Sequence, residues 1–192
     1  MFMTIRKIDN LSLNSICVFC GARAGNDPKF MAIADEVGTL IAQSGKRLVF
    51  GAGGLGLMGG VAKAALKAGG LVTGVVPDFL KRREIPVPAM DELLIVDSMH
   101  TRKRIMYDKS DAFIILPGGL GTLDELVEIV TWFQLELHNK PVYLFDLDGY
   151  WEDWFNLIQK MAKNGFVDQY AVDYFTRVHS TKELAEVMGL KW

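Results

Sequence analysis

Cysteine, histidine and proline are scarce in this 192-residue sequence, which has two cysteines, three histidines and six prolines. Two cysteines exclude a disulfide-rich scaffold, and the histidines lie too far apart for a metal-binding motif. No apolar run approaches the roughly 20 residues that span a bilayer, and residues 1–13 lack the plan of a signal peptide. We therefore expect no metal, no cofactor, no membrane association and a cytoplasmic location.

The sequence also lacks an excess of charge of one sign. Its 21 basic and 23 acidic residues leave a net charge of −2, so we expect no nucleic acid as a partner. Half of the residues are hydrophobic, which suits a globular chain with a sizeable core. The length predicts a single domain over 1–192, of which 1–13 are an N-terminal extension.

Short apolar runs alternate with segments of helical periodicity along the whole sequence. This alternation is typical of βαβ units, so we predict a Rossmann-like α/β fold, a doubly wound parallel sheet with helices on both faces. The predicted strands lie near 15–20, 47–51, 71–76, 93–96, 112–116 and 142–146. The predicted helices lie near 28–43, 57–68, 99–109, 122–138, 151–163 and 181–188.

The two cysteines, Cys17 and Cys20, form a C-x-x-C motif within the first predicted strand. Residues three apart on a strand face opposite sides, which disfavours a redox pair or half of a zinc site. We interpret both cysteines as small buried apolar residues.

The most informative segment is Pro117–Glu125, PGGLGTLDE, which joins a predicted strand to a segment of helical periodicity. Backbone N–H groups at such a turn favour an anion, whereas a carboxylate in the first turn of the helix repels one. A site with both features would hold a phosphate at one end and do chemistry at the other. The structural alternative is a capping box, in which Thr122 is the N-cap and pairs with Glu125.

A second glycine-rich turn, GAGGLGLMGG over 51–60, follows another predicted strand. It contains G-x-G-x-x-G, a pattern found in dinucleotide-binding turns. That function also needs an acidic residue at the end of the next strand, and Asp78 comes only after Pro77. Phosphate or nucleotide binding, dinucleotide binding and plain turn geometry all stay open for this turn.

Three cations, RKR at 102–104, fall in the first two turns of the predicted helix 99–109, for which Ser98 is a good N-cap. The positive end of the helix dipole makes a cation in the first turn unfavourable by a few tenths to about 1 kcal/mol. Such local conflicts often mark functional sites, and a bound phosphate or an acidic partner would offset the repulsion. The alternative is a solvated basic face paired with Asp108 or Asp111.

Together, these motifs resemble those of the LOG (LONELY GUY) family of cytokinin riboside 5′-monophosphate phosphoribohydrolases, whose signature is PGGxGTxxE. The similarity covers roughly residues 14–189. The matching segments, in order, are CG at 20–21, GGLGLMG at 53–59, MHTRK at 99–103, PGGLGTLDE at 117–125 and TWFQL at 131–135. The family's former label, lysine decarboxylase, would require a lysine that binds pyridoxal phosphate, and no lysine here lies in a recognisable motif of that kind.

The resemblance implies a homodimer that hydrolyses the N-glycosidic bond of a nucleoside 5′-monophosphate, releasing free base and ribose 5-phosphate. It assigns catalysis to Arg102 and Glu125, where Glu125 would stabilise an oxocarbenium-like transition state or activate water. A nucleotide-binding carrier or regulator without hydrolysis is the alternative. The residues expected to bind the substrate are Glu84, Lys103, Gly118, Gly119, Leu120, Gly121, Thr122, Leu123, Asp124, Thr131, Gly53, Gly54 and Met99.

Two departures from the family pattern fall on expected phosphate or ribose contacts. Ala52 stands where a glycine is frequent, and Arg23-Ala24-Gly25 replaces a serine-rich run. We expect these departures to affect substrate preference more than the type of reaction.

Overall fold

A computed structural model describes residues 13–82 and 86–191 of the chain. Its strands are β1 (Ser15–Phe19), β2 (Arg47–Phe50), β3 (Val72–Pro77), β4 (Glu92–Val96), β5 (Ala112–Ile115), β6 (Val142–Phe145) and β7 (Phe175–Val178). They form one sheet in the order β4-β3-β2-β1-β5-β6-β7, and every neighbouring pair is parallel. The predicted Rossmann-like, doubly wound sheet is confirmed, with its topological switch point between β1 and β5.

Helices fill most of the connections between the strands. They are α1 (Pro28–Gln43), α2 (Gly56–Lys67), α3 (Met99–Asp108), α4 (Leu120–Gln134), α5 (Glu152–Lys163), α6 (Gln169–Val172) and α7 (Thr181–Met188). Ser98 caps α3 as predicted, because its hydroxyl accepts a hydrogen bond from the N–H of Thr101 at 3.1 Å. No helix within the described residues is long and apolar enough to cross a membrane.

Two hydrophobic cores cover the two faces of the sheet. One contains buried residues of α1, α2 and α7, and the other contains those of α3, α4, α5 and α6. Cys20 belongs to the first core and Cys17 to the second, so the predicted opposite facing of the two cysteines is confirmed. Burial raises the pKa of both thiols, and the nearby Glu125 carboxylate raises it further.

Two elements were not predicted, and one helix ends several residues earlier than predicted, each for a local reason. β7 was not predicted because its sequence, FTRV, mixes polar and apolar residues at the edge of the sheet. The four-residue helix α6 is too short to show periodicity. Helix α4 ends at Gln134 rather than near 138, and Glu136 just beyond it takes a left-handed φ of 58°.

Candidate active site

The candidate site lies at the carboxyl edge of the sheet, at the switch point between β1 and β5. The turns that follow these strands touch there, because the N–H of Gly21 donates to the carbonyl of Pro117 at 3.0 Å. A cavity of about 620 Å³ opens between the two turns and is bordered by α3 and α4. Ligands of doubly wound folds bind at this position.

Many of the predicted site residues meet in this cavity. Those that line it are Met99, Arg102, Gly118, Gly119, Leu120, Gly121, Thr122 and Glu125. Those that do not line it are Gly53, Gly54, Lys103, Leu123, Asp124 and Thr131. Glu84 lies outside the described residues, and its predicted role stays a prediction.

The glycines that open α4 leave space for a ligand. Gly119 is the N-cap of the helix and, as a glycine, supplies no side-chain cap hydrogen bond. A Cβ atom built on Gly119 or on Gly121 would meet nothing within 4 Å. The first N–H groups of a helix have no partner within the helix, so this turn offers donors and room for an anion.

The capping-box alternative for Thr122 and Glu125 is wrong. The helix begins two residues before Thr122, and the carbonyl of Gly119 accepts from the N–H of Leu123 at 3.0 Å. Thr122 is 3% exposed and packs against Gly118, where an added Cβ would lie 2.1 Å from its hydroxyl. The half-buried Glu125 therefore falls in the second turn, which also corrects the expectation of a carboxylate in the first turn.

Arg102 is a buried cation, 4% exposed, whose guanidinium is held by backbone carbonyls. Its Nε donates to the carbonyl of Val75 at 3.1 Å, and its Nη2 donates to that of Gly51 at 2.7 Å. A Cβ on Gly51 would lie 1.9 Å from Nη2. The turn after β2 thus supports the guanidinium from behind, and only glycine leaves room for it.

Lys103 points away from the cavity toward α4. Its Nζ lies 3.0 Å from a carboxylate oxygen of Asp124 and 3.2 Å from one of Glu128. Burial opposes the charge of Lys103, but these two carboxylates outweigh it and raise the pKa of the amine. Of the three neighbouring cations, Arg104 alone matches the solvated alternative, since it is exposed and pairs with Asp108 at 2.9 Å.

The turn after β2 lies behind the cavity, where its glycines pack against protein atoms. A Cβ on Gly53 would approach the Met58 side chain to 2.8 Å, and one on Gly59 would lie 2.3 Å from the carbonyl of Gly54. Ala52 is fully buried and takes a left-handed φ of 64°, which explains why glycine would suit this position.

Thr131 lies farther along α4, exposed to solvent. Its hydroxyl donates to the carbonyl of Val127 in its own helix at 2.8 Å. Leu123 is partly buried against the core that contains α4.

Sequence analysis missed an aromatic wall of the cavity formed by Phe30 and Tyr150. The hydroxyl of Tyr150 donates to the carbonyl of Gly118 at 2.6 Å, and the two rings meet edge to face with centroids 5.6 Å apart. The cavity is also lined by Leu80 and by Arg23, which belongs to the segment that departs from the family pattern. The only available signal for Tyr150 was its place shortly after a predicted strand, at the same edge of the sheet.

The fold is that of a Rossmann-like α/β protein with a cavity at its switch point. A family model described as "Possible lysine decarboxylase" matches residues 58–188. The cytokinin riboside 5′-monophosphate phosphoribohydrolase LOG1 of Arabidopsis thaliana is 43% identical over 171 residues, covering 89% of this chain and 80% of the relative. The chain belongs to this LOG family.

A second relative and two solved structures agree with the family and with the fold. The probable enzyme LOG4 of Oryza sativa subsp. japonica is 42% identical over 172 residues, covering 90% of this chain and 75% of its own length. The molybdenum cofactor binding protein of Rippkaea orientalis has a TM-score of 0.69 at 24% identity, covering 94% of this chain and 98% of its own. The molybdenum cofactor carrier protein of Chlamydomonas reinhardtii has a TM-score of 0.68 at 20% identity, covering 92% and 96%. At these identities, the solved structures support the fold alone.

Proposed function

We propose that the protein hydrolyses the N-glycosidic bond of a nucleoside 5′-monophosphate, either AMP or a cytokinin riboside 5′-monophosphate. The products are free base and ribose 5-phosphate. The observation that carries the proposal is the arrangement of one cavity, in which Glu125 and Arg102 share the lining with the open glycines of the α4 turn. Membership of the LOG family supports the same reaction.

The 5′-phosphate binds at the turn that opens α4. There, the N–H groups of the first helical turn and the dipole of the helix favour an anion, and Gly119 and Gly121 leave space for it. Fixing the phosphate also restricts the ribose, because only the C5′ methylene and an ester oxygen join the phosphorus to the sugar ring. A held sugar lowers the entropic cost of reaching the transition state.

Glu125 acts at the opposite end of the ribose. Cleavage of an N-glycosidic bond passes through a transition state with positive charge on the sugar, as in glycoside hydrolysis. A carboxylate in the same cavity stabilises that charge and can orient or deprotonate the attacking water. Its charge is felt within the cavity lining, since it contributes to the raised pKa of the buried Cys20 thiol.

Arg102 supplies a positive charge in a fixed orientation. The carbonyls of Val75 and Gly51 hold its planar guanidinium, so little side-chain entropy remains to be lost when a nucleotide binds. This cation balances Glu125 in the cavity and engages the bound nucleotide.

The apolar side chains of the cavity lining suit the base. They include Phe30, Met58 and Leu80, and Tyr150 packs edge to face against Phe30. An adenine ring, or an adenine with an apolar N6 substituent, buries favourable area against such side chains. Arg23 adds a cation where the family has a serine-rich run, so we expect it to alter the preference among 5′-monophosphates.

The proposal includes a homodimer, as the family resemblance implies. Leu120 borders the cavity and is 86% exposed, and Val127 on the same helix is 40% exposed. Leu93 and Ile95 on the edge strand β4 are exposed as well. A second copy that covers α4 would bury apolar surface beside the site, and sedimentation equilibrium tests this directly. The cytoplasmic location stays a prediction from the sequence.

The test is incubation with AMP and with N6-isopentenyl-AMP, followed by chromatographic assay of the free base. We expect base release by the unmodified protein, and its loss in Glu125→Gln and in Arg102→Ala. Glu186→Gln is the matched control, because Glu186 is an exposed residue of α7. Helix α7 packs on the face of the sheet opposite to α3 and α4. Tight AMP binding without base release would support the carrier alternative, and no release from any 5′-monophosphate would overturn the proposal.

A further inference from the structure

The two proposed catalytic side chains stand on different helices. Arg102 is on α3, which connects β4 to β5, and Glu125 is on α4, which connects β5 to β6. Catalysis between two elements requires their relative rotation to be fixed, because a displacement of about 1 Å can cost 100-fold in rate. The neighbours of these two residues in sequence, Lys103 and Asp124, form an ion pair with each other.

Lys103 bonds to α4 on both sides of Glu125. Its Nζ lies 3.0 Å from Asp124 and 3.2 Å from Glu128, which are four residues apart on one face of the helix. Two bonds from one amine to successive turns restrict both the rotation of α4 and its position along its axis. A single contact would restrict the rotation and the axial position of α4 less effectively.

This ion cluster differs from ordinary surface pairs by its burial. The Lys103 side chain is 9% exposed and the Glu128 side chain 22%, although Asp124 is 59% exposed. The exposed pair of Arg104 with Asp108 is of the kind that contributes little. Removing one partner of a buried cluster, in contrast, leaves an uncompensated charge and is felt strongly.

The sequence carries a local conflict that this arrangement resolves. Asp124, Glu125 and Glu128 put three carboxylates into five residues, and like charges four apart destabilise a helix. Lys103, a cation on the neighbouring helix α3, lies between Asp124 and Glu128 and offsets their repulsion. Helix α4 therefore tolerates its cluster of carboxylates because of α3, and local conflicts of this kind concentrate at functional sites.

We propose that Lys103 is a positioning residue, which through Asp124 and Glu128 holds Glu125 in register with Arg102. This inference rests on the proposed hydrolysis. It differs from the family-derived expectation that Lys103 contacts the nucleotide, since the amine is engaged by α4 and the residue does not line the cavity. A positioning residue affects the turnover number, whereas a nucleotide contact affects the Michaelis constant for AMP.

The test compares kcat and KM for AMP in Lys103→Met and Lys103→Arg. We expect Lys103→Met to lower kcat by about 10- to 100-fold with KM changed by less than about threefold, because the ground-state contacts to the nucleotide remain. Lys103→Arg keeps a cation with several donors and should recover much of the lost kcat. Lys109→Met, which breaks the pair of Lys109 with Glu92 at the other end of α3, is the matched control and should leave both constants unchanged.

Variants that remove one of the two carboxylates at a time keep the test decisive if Lys103→Met does not fold. Asp124→Asn and Glu128→Gln each leave Lys103 with one carboxylate, and each should lower kcat by about three- to tenfold without raising KM. An increase in KM at constant kcat would identify Lys103 as a nucleotide contact and overturn the positioning role. Unchanged kcat and KM in all of these variants would also overturn the positioning role. Base release by the unmodified protein would, in that case, still support the proposed hydrolysis. An unmodified protein that releases no base would overturn the hydrolysis, and the positioning role with it.

Discussion

The turn after β2 and the turn after β5 both join a buried strand to a helix at the same edge of the sheet. In the turn after β2 and the start of α2, the glycines accommodate protein atoms: Gly51 faces the guanidinium of Arg102, and Gly59 faces the carbonyl of Gly54. In the turn after β5, Gly119 and Gly121 face open space in the cavity. The same residue type thus permits close packing in one turn and ligand access in the other.

This difference assigns separate tasks to two motifs that look alike in sequence. The turn after β2 builds the wall that holds Arg102, and the turn after β5 is itself the proposed binding surface. Substitutions by alanine should therefore act on different properties in the two turns. They should affect packing or the guanidinium in the first turn, and nucleotide binding in the second.

The largest effect is expected for Gly51→Ala. Its methyl group would lie 1.9 Å from Nη2 of Arg102, so the guanidinium must leave the carbonyl that holds it. We expect base release to fall by about 100-fold, as for a misplaced catalytic group. Adding Gly51→Ala to Arg102→Ala should cost little more, because both changes remove the same interaction. Full activity of Gly51→Ala would show that the position of the guanidinium is not critical.

A smaller effect, on stability, is expected for Gly59→Ala in α2. The new Cβ would lie 2.3 Å from the carbonyl of Gly54, so the turn must shift. Overpacking of this kind costs about 1 to 3 kcal/mol, which should lower the urea midpoint. A variant with unchanged stability would show that this turn is adaptable and would weaken the contrast between the two turns.

The opposite sign is expected for Gly121→Ala in α4. Its methyl group would meet no protein atom within 4 Å, and alanine in a helix is favoured over glycine by about 0.5 to 1 kcal/mol. We therefore expect a higher urea midpoint together with weaker binding of AMP, because the methyl group occupies the proposed phosphate site. Calorimetric titration measures the binding. Unchanged affinity for AMP would place the phosphate elsewhere.

The alternation of strands and helices was predictable because each central strand is a short apolar run that is buried on both faces. From this alternation followed the parallel sheet with helices on both faces, whereas the meeting of 117–122 with Arg102 was implied by the family resemblance. The edge strand β7 escaped prediction because its mixed sequence carries no such signal. Local pattern thus identifies elements that lie in the core more readily than those at the edge.

Side-chain direction was harder to predict than the location of the site. The spacing of Thr122 and Glu125 is compatible with a capping box and with a functional site, and the start of α4 at Leu120 excludes the capping box. The pairing of Lys103 with Glu128 depends on the rotation of two helices that are distant in sequence. Tyr150 reaches the cavity from the connection after β6, and no motif marks it.

The smallest effect is expected for Ala52→Gly, the change toward the residue that is frequent in the family. Alanine at a φ of 64° carries about 1 kcal/mol of strain, which glycine would relieve. Two effects of the substitution lower stability instead. The loss of a fully buried methyl group costs about 0.8 kcal/mol, and the greater freedom of the unfolded chain costs about 0.4 to 1 kcal/mol. The net change should therefore stay below about 1 kcal/mol in a urea titration.

Ala89→Gly provides the matched control for Ala52→Gly, since Ala89 has a similar φ of 63° but is exposed. It relieves the same strain without losing a buried methyl group, so it should be the more stable variant of the two. Ala52 does not line the cavity, and both variants should keep the KM for AMP of the unmodified protein. A change in KM for Ala52→Gly alone would mean that the turn after β2 reaches the nucleotide, and the contrast with the turn after β5 would then fail.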